Sequence, residues 1–291
     1  MGKIYLTLFL LPFLFLFSCK KEQSVPSFVY IPEINVNSVY NVSGSNSSKV
    51  NYIKVYNGNT LIGVYGLPVN VPIIGNGEVE IKCLAMIENY DSPNNILNYE
   101  FYDLSNDVVF LESGKQDTIY PTVNYLSSTY AYYWFEDFES SGHLFAAGPN
   151  SNAPLIITDD PTEVFQGIGS GKFDLSSDSA YSKYLTEEYF VYTPGKNAFL
   201  ELNYKNNQSF FFSLILHPNS GNTYKQPVFQ FKNSTNENGE IVWNKMYIEI
   251  GSILNGLTNL QGFDICFEMQ RDESVSDPIV LIDNVKVIRK K

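Results

Sequence analysis

Carboxylates crowd together at several points of this 291-residue chain, among them Glu136-Asp137-Phe138-Glu139 and Glu187-Glu188. Glycoside hydrolysis uses two carboxyls about 5–10 Å apart across a cleft, carried on separate strands. Neighbours in sequence give no such geometry, so neither cluster identifies an acid and its nucleophile. The two histidines, His143 and His217, stand in Gly/Pro-bearing segments. No G-x-S-x-G nucleophile motif accompanies them, and both read as solvated loop side chains. Gly167-Ile168-Gly169-Ser170-Gly171 is rich in glycine but lacks the Lys-Ser/Thr pair and helix of a phosphate loop. It reads as a turn. Three widely spaced cysteines make neither a disulfide framework nor a four-Cys zinc site. Cys83 and Cys266 fall in apolar strand patterns and are expected to be buried thiols.

Composition narrows the partners. Lys+Arg number 19 against 31 Asp+Glu, a net charge of −12. Phosphate backbones require clustered cations, so nucleic acid is excluded as a partner. With 44% hydrophobic and 17% charged residues, the chain has the means to bury a core. The elements that must position any site are strands. Val50-Asn51-Tyr52-Ile53-Lys54-Val55-Tyr56 and Glu78-Val79-Glu80-Ile81-Lys82-Cys83 alternate or cluster β-branched and aromatic residues. Asn57-Gly58-Asn59, Gly75-Asn76-Gly77 and Ser113-Gly114-Lys115 bound them as turns. The best helical candidate is a turn or two near Ile253-Leu254-Asn255. The fold class is therefore all-β. Pro121 to Tyr133 is polar and reads as a boundary between an immunoglobulin-like sandwich over 27–126 and a jelly roll over 127–291.

Residues 1–18 carry Lys3 and then an apolar run from Ile4 to Phe17, ending in Leu16-Phe17-Ser18-Cys19. This resembles a bacterial lipobox. The resemblance implies a signal peptide over 1–18, lipidation of Cys19, and a tether over 19–26. Three acyl chains anchor stably where one is marginal. The run of about 14 residues is short for a membrane span. The mature chain would have 273 residues and net charge −13. Lys20-Lys21-Glu22-Gln23 is similar to the export tag of Bacteroidota surface lipoproteins. That similarity implies the outer membrane, exposed at the cell surface, with its periplasmic face as the alternative.

Two further resemblances concern the domains. Ile53 to Gly58, Leu61-Ile62-Gly63, Leu67-Pro68 and Val71-Pro72-Ile73 look like the opening of a PEGA-type domain, a spacer without catalytic residues. Trp134 to Gly142, Gly167 to Leu175 and Ile279 to Val287 together resemble carbohydrate-binding-module and galactose-binding-like jelly rolls. Their first and last strands lie side by side, which hides an edge. The resemblance implies a structural Ca²⁺ held by Glu139, Asp283 and the carbonyl of Lys172, with Asp137 as a spare, since calcium takes six to eight oxygens. It also implies a sugar platform, for which Trp134, Tyr132 and Tyr181 are the candidates. Trp243 sits in an alternating pattern and is expected in the core. The expected role is non-catalytic binding of a glycan or envelope protein. A structural subunit of an outer-membrane secretion, motility or uptake complex is the alternative, and a polysaccharide hydrolase a more distant one.

Overall fold

The computed structural model describes residues 25–291. Cys19 and the segment before it lie outside the described residues. The chain first lays β1 (Ser27–Ile31), β2 (Asn35–Asn37), the single turn α1 (Tyr40–Ser43), β3 (Tyr52–Asn57) and β4 (Thr60–Gly66). Then come β5 (Val69–Ile73), β6 (Gly77–Glu88), β7 (Ile96–Asn98), β8 (Ser105–Leu111), β9 (Gln116–Thr118) and β10 (Thr122–Asn124). One sheet runs β4-β3-β6-β8, with β7 also on β6; facing it are β5-β1-β9 and the pair β2–β10. The alternation seen in the sequence sets the faces. Ile53 and Val55 of β3, and Ile81, Cys83 and Ala85 of β6, are fully buried. The β3–β4 turn is Gly58-Asn59, where Gly58 takes φ 56°. The register then shifts between Val55 and Tyr56, opposite Gly63 and Leu61, so a β-bulge lies on β4 beside Gly63. Pro72 lies in β5, an edge strand, where no ladder donor is missed.

The C-terminal part comprises β11 (Ala131–Glu136), β12 (Phe145–Ala147), β13 (Leu155–Thr158), β14 (Ser170–Phe173), β15 (Tyr181–Thr186) and β16 (Phe190–Val191). It continues with β17 (Ala198–Asn206), β18 (Phe210–Pro218), β19 (Tyr224–Phe231) and β20 (Asn244–Glu249), then α2 (Gly251–Asn255), β21 (Leu260–Gln270) and β22 (Val280–Lys290). Two antiparallel sheets pack face to face. The first runs β13-β14-β22-β17-β20, with β11 also on β22; the second runs β12-β15-β21-β18-β19, with β16 on β21. Leu200, Leu202, Val285 and Val287 from the first meet Phe212, Leu214, Phe263 and Ile265 from the second in one core. The first and last strands pair from Ala131↔Lys290 to Glu136↔Val285, as the motif order implies.

The two sheets differ on their outer faces. In β17, β20 and β22 the outward residues Phe199, Glu201, Lys245, Tyr247, Lys286 and Ile288 are buried as deeply as the inward ones. The N-terminal sandwich covers them: Phe199, Tyr247 and Ile288 belong to its core cluster, beside Tyr99, Phe101 and Tyr125. Strands buried on both faces read as near-continuous burial rather than alternation. The two sandwiches therefore share a core instead of following one another as separate bodies.

Several expectations need correction. The boundary segment 121–133 itself carries structure, because Thr122–Asn124 forms β10 and pairs with β2. The turn α1 was not foreseen, whereas α2 falls where the sequence places it. His217 is not in a loop but near the end of β18. Trp243 precedes β20 and is half-buried against Phe165, at 5.3 Å between ring centroids.

Candidate functional site

Because the first sheet of the C-terminal sandwich is covered, its second sheet presents the free face. Alternation in β15, β21, β18 and β19 sends every second side chain outward. The register aligns these in rows across the strands. Lys183, Glu268, Phe211 and Gln230 form one row. Leu185, Cys266, Ser213 and Pro227 form the next, followed by Asp264, Ile215 and Lys225. Gly262 and His217 close the face at its far end.

The polar groups of this face are organised in two sets. Glu268 accepts the Tyr181 hydroxyl at 2.8 Å and the Lys225 ammonium at 2.6 Å. Burial raises its carboxyl, but Lys225 and Tyr181 outweigh that and hold it below the usual range. Burial, and after it the same carboxylate, pushes the Tyr181 phenol well above its ordinary value. At the other end, His217 Nε2 meets Asp264 at 2.6 Å, and Thr186 donates to the same carboxylate at 3.3 Å. The Tyr189 ring stacks on His217 at 4.7 Å and lies over Gly262, where a Cβ would come within 2.4 Å of it. Only glycine lets the ring lie flat there. Phe211 is 44% exposed and Tyr189 40%, so both offer an aromatic surface to solvent. Asp264 and Glu268 sit four residues apart on one strand, about 13 Å along it. That exceeds the spacing for either glycosidase geometry, and each acid is already engaged by a basic side chain. The arrangement suits a ligand that stacks and accepts or donates hydrogen bonds.

The three candidate platform aromatics are not brought together. Tyr181 lies on the free face. Trp134, on β11, is half-buried and meets Phe145 and Phe190 edge to face at 5.7 and 5.6 Å. It lines a hollow of about 390 Å³ with Leu144, Glu187, Glu188, Tyr189 and Arg289. The Glu187-Glu188 pair thus does stand beside an aromatic wall, at the seam between the sheets. Tyr132 is half-exposed and takes the Arg289 and Lys291 cations over its ring at 5.3 and 4.9 Å. Sequence reading missed Phe211, Tyr189 and Glu268. Only the register reveals that they share a face.

The residues expected around calcium do come near one another, but their oxygens serve other partners. Asp137 accepts the Tyr40 hydroxyl at 2.5 Å. Glu139 accepts the Ile168 amide at 3.0 Å to both oxygens and the Gly169 amide at 3.4 Å. Asp283 accepts from Ser170 Oγ and the Asn284 amide, both at 2.6 Å. Burial raises its carboxyl to about 7, against these hydrogen bonds. Lys172 pairs with Ile156 on one side and Leu281 on the other, and its ammonium reaches Glu163 at 2.6 Å. Among the described residues no three His, Cys, Asp or Glu side chains converge as a metal cage. As arranged, the set does not fit the mixed-oxygen shell of calcium. Cys83 and Cys266 are free and fully buried, and burial pushes both thiols up to about 12.

No family model matches the chain, and no curated protein matches it significantly. Solved structures do. The CBM22-1 xylan-binding domain from Paenibacillus barcinonensis is 14% identical, covering 54% of this chain and 94% of its own, with a TM-score of 0.37. The C-terminal family 22 carbohydrate binding module of Clostridium thermocellum Xyn10B is 12% identical over 53% of this chain and 90% of that one, with a TM-score of 0.36. A family 29 module complexed with mannohexaose is 14% identical over 54% and 92%, with a TM-score of 0.33.

Proposed function

We propose that the C-terminal sandwich is a non-catalytic glycan-binding module and that its free sheet face is the binding surface. The row Lys183, Glu268, Phe211 and Gln230 carries this reading. Four strands at about 4.8 Å spacing make a strip about 14 Å long. A sugar chain lying across it would stack a ring face on Phe211 and offer hydroxyls to Glu268, Gln230 and Lys183. Tyr181 and Lys225 fix the Glu268 carboxylate in advance, so little ordering is left for binding. The solved modules resembled are described with xylan or mannohexaose as their ligands; for this chain the polysaccharide is open to the array. The test is a glycan array followed by calorimetry on the mature protein. Phe211→Ala and Glu268→Gln are each expected to weaken the best ligand about tenfold or more. If the array is blank, with or without added calcium, the reading is wrong.

The same proposal places the module on the outer membrane through acylated Cys19. The mature charge of −13 gives no electrostatic grip on anionic lipid, so the anchor alone would hold it there. Cys19→Ala is expected to release the protein from the membrane fraction or leave it unacylated in mass spectrometry. A membrane-bound, unprocessed wild-type chain of full mass contradicts lipidation.

A further inference from the structure

A cleft of about 460 Å³ opens where the tip of the β6–β7 hairpin meets β19 and the approach to β20. Its wall is aromatic: Tyr90 stacks on Phe229 at 5.6 Å and 29° between planes, with Tyr204 beside them. Its rim carries Lys232, Asn233, Thr235 and Asn244. The one carboxylate in the lining, Asp91, is held by Lys49 at 2.5 Å and by Asn244 at 3.2 Å. The hairpin tip has left-handed backbone at two successive residues with side chains, Tyr90 at φ 59° and Asp91 at φ 52°. Such conformations are unfavourable and persist only where the surroundings impose them. Here the other sandwich imposes them. The Tyr90 amide donates to the Tyr247 carbonyl at 2.9 Å and its phenol to the Glu249 carbonyl at 3.3 Å. The Glu249 amide donates to Asn89 at 2.8 Å. Neither sandwich forms this cleft alone.

We propose that the cleft is a second ligand site and that it takes a short segment of a neutral glycan. The volume is within the range of small-ligand sites, about 300–1,000 Å³, which combine apolar walls with a few placed polar groups. Aromatic faces suit the CH face of a pyranose. Amide and hydroxyl side chains both donate and accept, as sugar hydroxyls do. Asp91 is spent on Lys49, and Lys232 is the one cation of the lining, too little to hold a polyanion against a chain of net −12, so the site favours a neutral sugar. The cleft borders the sheet face at Gln230, which lines both, but Tyr90, Phe229 and the rim carry the proposal, which does not rest on the sheet-face reading.

The experiment uses the mature full chain with neutral xylo-, manno- and cello-oligosaccharides, and with oligogalacturonate as the anionic probe. Hydrogen exchange and calorimetry are the readouts. Slowed exchange is expected at 89–92 and 229–235 with a neutral probe. Asn233→Ala and Thr235→Ala, both on the rim, are expected to weaken that binding at least fivefold with an unchanged thermal midpoint. Phe211→Ala is expected to leave it untouched. The proposal is overturned if no neutral probe slows exchange at the cleft, if the rim variants bind as wild type, or if oligogalacturonate alone binds there.

Discussion

Glu201 is the residue whose surroundings say most about how the molecule holds together. It sits on β17 with 0% exposure, facing the N-terminal sandwich. The Tyr99 and Tyr125 hydroxyls donate to it, the latter at 2.8 Å. The Lys245 ammonium is 3.1 Å away and Lys286 3.9 Å. Lys286 also lies 3.8 Å from the Tyr125 ring centre and donates to the Ser45 carbonyl at 3.1 Å. Two buried cations share one carboxylate. The carboxylate stays charged, and Lys286 carries the imbalance: burial pushes its ammonium down to about 7, with Lys245 adding to the shift and Glu201 opposing it. The unfolded chain holds that proton to about pH 10.4. Between these values the unfolded state binds more protons, so this group makes stability rise with pH. Cys83 and the buried tyrosines, all raised, act oppositely above about pH 9. From pH 7 to 9 the unfolding free energy of wild type is therefore expected to gain about 2 kcal/mol relative to Lys286→Met. Urea titrations of both proteins across that range check it. Parallel profiles would show that Lys286 keeps its proton when folded.

At the scale of elements, the sequence motifs that resemble a sugar-binding jelly roll meet in space and act as a fastening. The Phe138 ring, held at φ 57°, lies where a Cβ on Gly171 would come within 2.5 Å of it. Glu136 caps the Phe138 and Leu144 amides at 2.7 and 2.5 Å, and Glu139 caps the 168–169 turn. Asp283 ties Ser170 to β22. The opening strand, the Gly-rich turn and the closing strand are thus pinned together. Gly171→Ala is expected to drive the ring off β14 and cost about 1–3 kcal/mol by overpacking. An unchanged unfolding midpoint would place the Phe138 ring elsewhere. This much was legible in order: Trp134-Phe135-Glu136, the Gly run and Ile282-Asp283-Asn284 announced the pairing of β11 with β22. The strand alternation of Tyr52–Tyr56 and the helical turn near Ile253 were legible too. The free face of the second sheet was not. Phe211, Tyr189 and Glu268 are separated in sequence by up to about eighty positions, and only antiparallel register aligns them. The burial of Lys245 and Lys286 was not legible either, for a related reason. In a strand, a charged residue signals the solvent side, and nothing local shows that another sandwich covers it.

For the whole molecule, the shared core decides how the two sandwiches behave. A stalk and head joined by a linker would unfold independently. Here Tyr99 packs edge to face on Phe199 and Tyr247 at 5.2 and 5.3 Å, across the junction. Separating the sandwiches would expose those rings together with Glu201, Lys245 and Lys286, which no solvent-facing strand would present in this pattern. The N-terminal sandwich is thus the cover of one sheet, and it leaves the outer face of the other sheet open to solvent. Interfaces that are large and apolar couple their domains, whereas small polar ones let them move. Calorimetry of residues 25–291 is therefore expected to give a single transition whose van't Hoff and calorimetric enthalpies agree. The isolated 127–291 segment is expected to melt at least several degrees lower and to bind a hydrophobic dye. Two well-resolved transitions in the longer chain, with the 127–291 segment reproducing one of them, would show that the sandwiches fold without each other. The covered face would then be an incidental contact rather than a core that couples the two sandwiches.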